Sequence, residues 1–168
     1  MKYLFIIITL LIGFTGKGNS QNPTTSIKFS MGFINGPATD KGVSTNIGIE
    51  YQPIKYLGIE LGFDNWYRYT DESASDTNTG SSLILHGYPL SFKGNTIDVF
   101  GGYGYNVNYW RYASGGIGRW FYWAPVYGAG YYYSFNRFDI GLVFKKQLFN
   151  GPVSSENSQF LVSFKKHF

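Results

Sequence analysis

The sequence predicts an all-β chain that closes into an eight-stranded antiparallel up-and-down transmembrane β-barrel. Three observations carry this. Apolar and polar residues alternate at period two from Ser26 to Phe168, and no stretch after residue 20 shows sustained helical periodicity. The connections alternate between long and short, the rhythm of a meander whose two edges can meet and abolish one another. Bulk and smallness also separate by face: aromatic residues are 20% of the chain and there are 22 glycines, most rings falling on one parity and most glycines on the other.

The first 20 residues stand apart. Met1 and Lys2 precede an apolar run, Leu4 to Phe14, and then small and polar residues, with Gly18 and Ser20 at the −3 and −1 positions before Gln21. This is the layout of a secretory signal peptide, and the run is far shorter than the roughly 20 apolar residues a membrane-spanning helix needs. Residues 1–20 are expected to be removed, leaving residues 21–168 as one barrel domain. The absence of cysteine excludes disulfides and a lipoprotein anchor. Without Lys2 and Lys17 the 14 basic residues become 12 against 10 acidic ones, too weak a field to argue for nucleic acid.

The elements follow in order. "SIKFSMGF" sets Ile27, Phe29, Met31 and Phe33 against Lys28, Ser30 and Gly32, and "TNIGIEYQ" sets Ile47, Ile49 and Tyr51 against Asn46, Gly48 and Glu50. A turn over Pro53 to Tyr56 leads to "LGIELGFDNWYRYT", with Leu57 to Tyr69 on the odd parity and Gly58, Glu60, Gly62, Asp64, Trp66 and Arg68 on the even. After a polar loop, Asp71 to Gly80, comes "SLILHGYPLSF", whose parity blurs around Gly87 to Pro89 and predicts a bulge. Lys93 to Asn95 turns into "TIDVFGGYGYNVNYW", and Arg111 to Arg119 separates this from "FYWAPVYGAGYYYSF". Asn136 and Arg137 turn into "FDIGLVFKK"; Phe149 to Glu156 forms the last loop, and "FLVSFKKHF" the eighth strand.

Which face lies outside decides between a soluble lipocalin-type barrel and a membrane barrel. An eight-stranded barrel leaves an interior just wide enough for side chains, and the polar parity carries Gly48, Gly58, Gly62, Gly102, Gly104, Gly128, Gly130 and Gly141. Small residues suit that crowded inside. The opposite parity places Tyr51, Tyr67, Tyr69, Phe92, Tyr109, Trp123, Tyr133, Phe138, Phe144 and Phe168 towards strand ends with aliphatics between, which reads as two aromatic girdles around a lipid-facing band. Only a closed sheet satisfies its backbone in lipid.

With an exported start, eight amphipathic strands, the Pro-containing "HGYPLSF" strand and the terminal "FLVSFKKHF", the chain resembles the small outer-membrane barrels of the OmpA and OmpX kind, the porin-family β-barrel domain. The resemblance implies residence in the outer membrane of a Gram-negative-type envelope, with both termini and the short turns in the periplasm and the long loops outside. It also implies that Phe160, Val162, Phe164 and Phe168 form the assembly signal read by the barrel-insertion machinery. Lys166 departs from the apolar residue that family often has there.

The inward parity collects Lys28, Glu50, Glu60, Asp64, Arg68, Asp98, Asp139, Lys145 and Lys165, which in a narrow lumen must pair; the expected result is an ion-pair plug, with a proton or ion path as the sharper alternative. Glu50 and Glu60 are expected to face one another across the Pro53 turn. Trp110, Arg111, Tyr112, Arg119, Trp120 and Trp123 form a candidate loop patch for a protein or glycan partner, or else continue the girdle and meet lipopolysaccharide phosphates. Lipid A chemistry would need an oriented Ser and His pair, and His86 and His167 supply none, so the chain is not read as an enzyme. No metal cluster, phosphate loop or cofactor motif is present, and "GGYGYN" lacks the helix of a nucleotide site; no cofactor is expected. The role is therefore read as structural or interactive, with a narrow ion-conducting channel as the first alternative and a lipid A modifying enzyme as the second.

Overall fold

The structure, a computed structural model, describes residues 23–35, 41–69, 75–111, 115–149 and 155–168. The expected signal peptide lies outside them, as does Tyr112. Eight strands follow in order: β1 Thr24–Asn35, β2 Lys41–Ile54, β3 Leu57–Tyr69, β4 Ser75–Phe92, β5 Asn95–Arg111, β6 Ile117–Phe135, β7 Phe138–Phe149 and β8 Ser155–His167. Every strand pairs antiparallel with its sequence neighbours, and β8 pairs with β1, so the sheet is a closed barrel with no edge.

The register fixes the barrel's shape. Stepping from partner to partner, Asn35 leads through Ser158, Lys146, Tyr127, Gly101, Leu85, Ile59 and Tyr51 to Thr25, so one circuit returns to β1 ten residues from its start. That stagger tilts the strands by about 35 to 45° and leaves a bore that side chains fill.

Alternation then sorts the side chains as expected. Outward positions are large and apolar, among them Phe33 at 72% exposure, Phe63 at 61% and Leu142 at 66%. A wall of such residues is stable only against lipid. Inward positions hold two apolar clusters: Ile84, Phe100, Val126, Tyr132, Val143 and Leu161 in one, and Ile34, Trp66, Tyr122 and Ala124 in the other.

Two sequence expectations change. The polar segment before β4 is partly strand, because Asp76, Asn78 and Gly80 point inward while Thr77 and Thr79 pair across to Tyr67 and Asn65. The tall wall is consequently β4, β5 and β6, at 18, 17 and 19 residues, against 13 in β3; all exceed the roughly 9 to 11 residues needed to cross a bilayer. Second, Phe144 does not lie at a strand end: it is the seventh of the twelve residues of β7, six beyond Phe138, with its ring 5.0 Å from Phe160.

The blurred parity of the Pro-containing strand is a bulge. Gly87 pairs with Val99 and Leu90 with Ile97, so Tyr88 and Pro89 together oppose Asp98. Pro89, which has no donor, sits where the ladder is interrupted, and the amide of Tyr88 bonds instead to the Tyr56 carbonyl at 3.0 Å. Beyond the bulge the parity reverses, turning Leu90 and Phe92 outward. The next turn is tight: Lys93 and Gly94 both have positive φ, at 47° and 83°, the signature of a two-residue hairpin loop that glycine accommodates readily.

The glycine face behaves as a space requirement. A Cβ on Gly48 would stand 2.6 Å from Glu60 Oε1, and one on Gly141 would run into the Tyr132 ring and come within 2.6 Å of the Tyr131 carbonyl. At outward Gly101 the nearest obstacle is 3.8 Å away. Gly141→Ala is therefore expected to lower stability by about 1 to 3 kcal/mol through overpacking, and Gly101→Ala to leave it nearly unchanged; equilibrium denaturant titrations in detergent compare the two.

Candidate functional site

The lumen holds the chemistry. Its largest polar cluster draws its charged members from six strands and centres on His86 of β4. Lys28 from β1 donates to Glu60 of β3, and His86 Nε2 lies 3.1 Å from the same Glu60 carboxylate. On its other side His86 Nδ1 donates to Asp98 of β5 at 2.9 Å. Lys165 from β8 forms a 2.8 Å ion pair with Glu50 of β2, and the Tyr88 hydroxyl donates to Glu50 as well. Lys165 also lies 4.8 Å from the Tyr132 ring and 5.2 Å from that of Tyr88, which places the ammonium between two π faces. Glu50 and Glu60 are directly paired in the β2–β3 register, as the turn geometry predicts.

The charges in this cluster balance. Glu50, Glu60 and Asp98 oppose Lys28, Lys165 and His86, and all six are buried. A neutral His86 donating from Nδ1 would aim the Nε2 lone pair at the Glu60 carboxylate, so the geometry fits an imidazolium. Glu50, Glu60 and His86 also bring one ligand atom each within 4.8 Å of one another, a grouping that could hold a metal ion. Lys28 and Lys165 already neutralise those two carboxylates, so the arrangement fits a closed ion-pair network better than a cation cage.

Three smaller sets continue the network. Towards the loops, Lys145 and Asn46 donate to Asp64 Oδ1, the latter at 3.0 Å, and Ser82 donates to Oδ2 at 3.2 Å. Near the loop mouth Arg68 donates to Asp76 at 2.6 Å and to Asn157 at 3.3 Å, with its guanidinium 5.4 Å from the Trp66 ring. At the turn end His167 meets Asp139 at 2.7 Å. All nine charged residues expected in the lumen face inward, Arg68 half-buried at the mouth.

Sequence reasoning missed His86, Asp76, Tyr88 and His167 as members. His86 shares the parity of Ser82 and Ile84, which was the signal available; Asp76 was hidden by reading its segment as loop, and Tyr88 by the bulge.

The candidate loop patch divides. β5 continues through Arg111 and β6 begins at Ile117, so every described member of the patch lies on a strand of a tall hairpin, and alternation sends these residues to two faces. Arg111, Arg119 and Trp123 lie on the outer face, where Arg119 sits 4.8 Å from Phe121 and Trp123 5.1 Å from Tyr105. Trp110 and Trp120 lie on the lumen parity, and a Cβ on Gly118 would strike the Trp110 indole. Outer residues Tyr67, Ser75, Thr77, Tyr109, Arg111 and Ile117, together with Trp110, line a cavity of about 380 Å³ at this rim. A second, of about 450 Å³, opens at the turn end above Tyr88, Tyr132 and Lys165. On β8 the side chains of Phe160, Val162, Phe164 and Phe168 point outward, exposed by 41% to 65%.

An apolar wall around a filled, charge-paired lumen defines a small transmembrane β-barrel. Its fold matches that of Neisserial surface protein A, NspA, with a TM-score of 0.72 at 10% identity over 90% of this chain and 100% of that one. Ail, the attachment invasion locus protein of Yersinia pestis, aligns at a TM-score of 0.59, 12% identity, 87% of this chain and 97% of Ail. OprG of Pseudomonas aeruginosa aligns at 0.51, 14% identity, 90% and 98%. No family model matches the chain, and no curated protein matches it significantly. The likeness is one of fold.

Proposed function

We propose that the chain is an exported integral outer-membrane protein that acts as a structural and docking element of the envelope, its lumen sealed as an ion-pair plug. The observation that carries this is the partition of charge: Glu50, Glu60, Asp64, Asp76, Asp98 and Asp139 are all buried in the lumen, each beside a cation or hydrogen-bond donor, while the outer wall is apolar. Two apolar clusters span the bore at different heights, which favours a plug over an ion path. His86 is enclosed by carboxylates and rings inside the lumen, an arrangement suited to holding charge rather than to activating a serine at a lipid surface.

Docking would use the β5–β6 hairpin. Arg111 and Arg119 top an outward aromatic ladder, a placement suited to lipopolysaccharide phosphates, and the hydroxyl-rich cavity beside Arg111 suits a glycan. The Ail protein of Yersinia pestis has been crystallised with the heparin analogue sucrose octasulfate. Assembly would pass through the barrel-insertion machinery, with the β8 aromatics as its signal.

Two measurements test the reading. Unboiled protein is expected to migrate differently from boiled protein on a detergent gel, and planar bilayers holding the folded barrel are expected to stay silent at all voltages. Identical migration with solubility in plain buffer would overturn the barrel; resolved unitary currents would replace the plug with the channel.

A further inference from the structure

The turn end of the barrel carries a ring of uncompensated positive charge. Each of the three short turns contributes one cation, Lys55 between β2 and β3, Lys93 between β4 and β5 and Arg137 between β6 and β7, and the closing strand β8 contributes Lys166. Three of them lie beside aromatic rings of the lower girdle: Lys55 Nζ is 5.5 Å from Tyr56, Lys93 Nζ is 5.1 Å from Phe92, and Lys166 Nζ is 5.8 Å from Phe138 and 5.2 Å from Phe168. Among the described residues none of the four forms an ion pair with an acidic side chain, and the acids Glu50, Glu60, Asp64, Asp76, Asp98 and Asp139 are all buried in the lumen, paired there with other groups. Asp139, the acid at this end, is engaged by His167 at 2.7 Å.

Charge, depth and spacing point the same way. Girdle aromatics mark the level where acyl chains give way to headgroups. A lysine whose stem crosses such a ring lifts its ammonium to the phosphate level, so lipid meets the collar at its phosphates. A zwitterionic headgroup brings its own cation and is attracted weakly; an anionic one is not self-compensated. The four positions are spread around the perimeter, one at each turn and one at the β8–β1 seam, so the collar addresses a ring of lipids rather than one pocket.

We infer that this collar selects anionic phospholipids, of the phosphatidylglycerol type, in the leaflet that faces the turns. The inference rests on the membrane reading proposed above, and the test separates the two. Insertion is checked first in vesicles of phosphatidylcholine alone by the heat-dependent shift in gel mobility; failure there overturns the membrane reading and the collar with it. The barrel is then placed in nanodiscs holding equal amounts of phosphatidylcholine and phosphatidylglycerol, and the lipids that stay bound on release are counted by native mass spectrometry. The wild type is expected to retain phosphatidylglycerol about fivefold over phosphatidylcholine, and the variant Lys55→Gln/Lys93→Gln/Arg137→Gln/Lys166→Gln no more than about twofold. Arg111→Gln/Arg119→Gln, at the opposite end, is expected to stay near the wild-type ratio. Should the fourfold variant fail to fold, Lys93→Gln alone, in an exposed turn, is expected to lower the ratio, and added salt to lower it for the wild type. Equal retention by the wild type, an undiminished ratio in the collar variants, or an equal loss in the loop-end variant overturns the proposal.

Discussion

Lys28→Met is expected to cost the barrel about 3 to 5 kcal/mol of unfolding free energy, the penalty for leaving one member of a buried ion pair without its partner. Lys28 is 5% exposed and Glu60 0%, so water does not replace the lost ammonium. Glu60 would retain only its 3.1 Å contact with His86, and that imidazolium is already engaged by Asp98. The substitution therefore leaves three carboxylates against two cations in a space that otherwise balances. Adding Glu60→Gln removes the excess charge and is expected to recover more than half of the loss. Guanidinium titrations in detergent, followed through the fluorescence of buried Trp66, measure the single and double variants together. A single-variant loss below about 1 kcal/mol would place the pair in a solvated channel, since that is the range of exposed pairs, and would favour the conducting reading.

Why the barrel was legible and parts of its lumen were not follows from how each is encoded. Period-two alternation is imposed residue by residue by the lipid outside, so strands such as Ser26 to Phe33 and Leu57 to Arg68 declare their faces without knowledge of their neighbours. A bulge adds one residue and breaks that code, which is why Tyr88, a central member of the Glu50 and Lys165 cluster, could not be placed from its position in "HGYPLSF". The polar run Ser75 to Gly80 misled in another way. Above the membrane the outward residues need not be apolar, so Thr77 and Thr79 gave no amphipathic signal although the strand continues through them. The candidate patch failed as a single patch for the converse reason: proximity in sequence on a strand puts neighbours such as Trp110 and Arg111 on opposite faces. Lys166, the residue out of keeping with the terminal pattern, has a physical account in its place between the Phe138 and Phe168 rings.

Deleting Phe168 is expected to reduce the amount of protein reaching the membrane to a small fraction of wild type while barely changing the finished barrel. The structural side of this is small. The Phe168 amide donates to the Thr25 carbonyl at 2.9 Å, a single bond at the seam between β8 and β1, and its ring is 65% exposed on the outer wall. Loss of that hydrogen bond and of a lipid-facing ring is worth on the order of 1 kcal/mol, a modest fraction of the stability of a closed barrel. The assembly signal proposed for β8 would act earlier, while β8 is unpaired and its aromatics are open to the insertion machinery, so its loss is expected to affect yield rather than stability. The two contributions separate experimentally. Protein refolded from denaturant into detergent meets no machinery, and there the truncated chain is expected to regain the folded gel mobility as fully as wild type; in cells its folded fraction is expected to collapse, and Phe168→Tyr to restore it. Normal membrane levels of the truncated protein would remove the signal, and poor refolding in detergent would reassign Phe168 to closing the barrel itself.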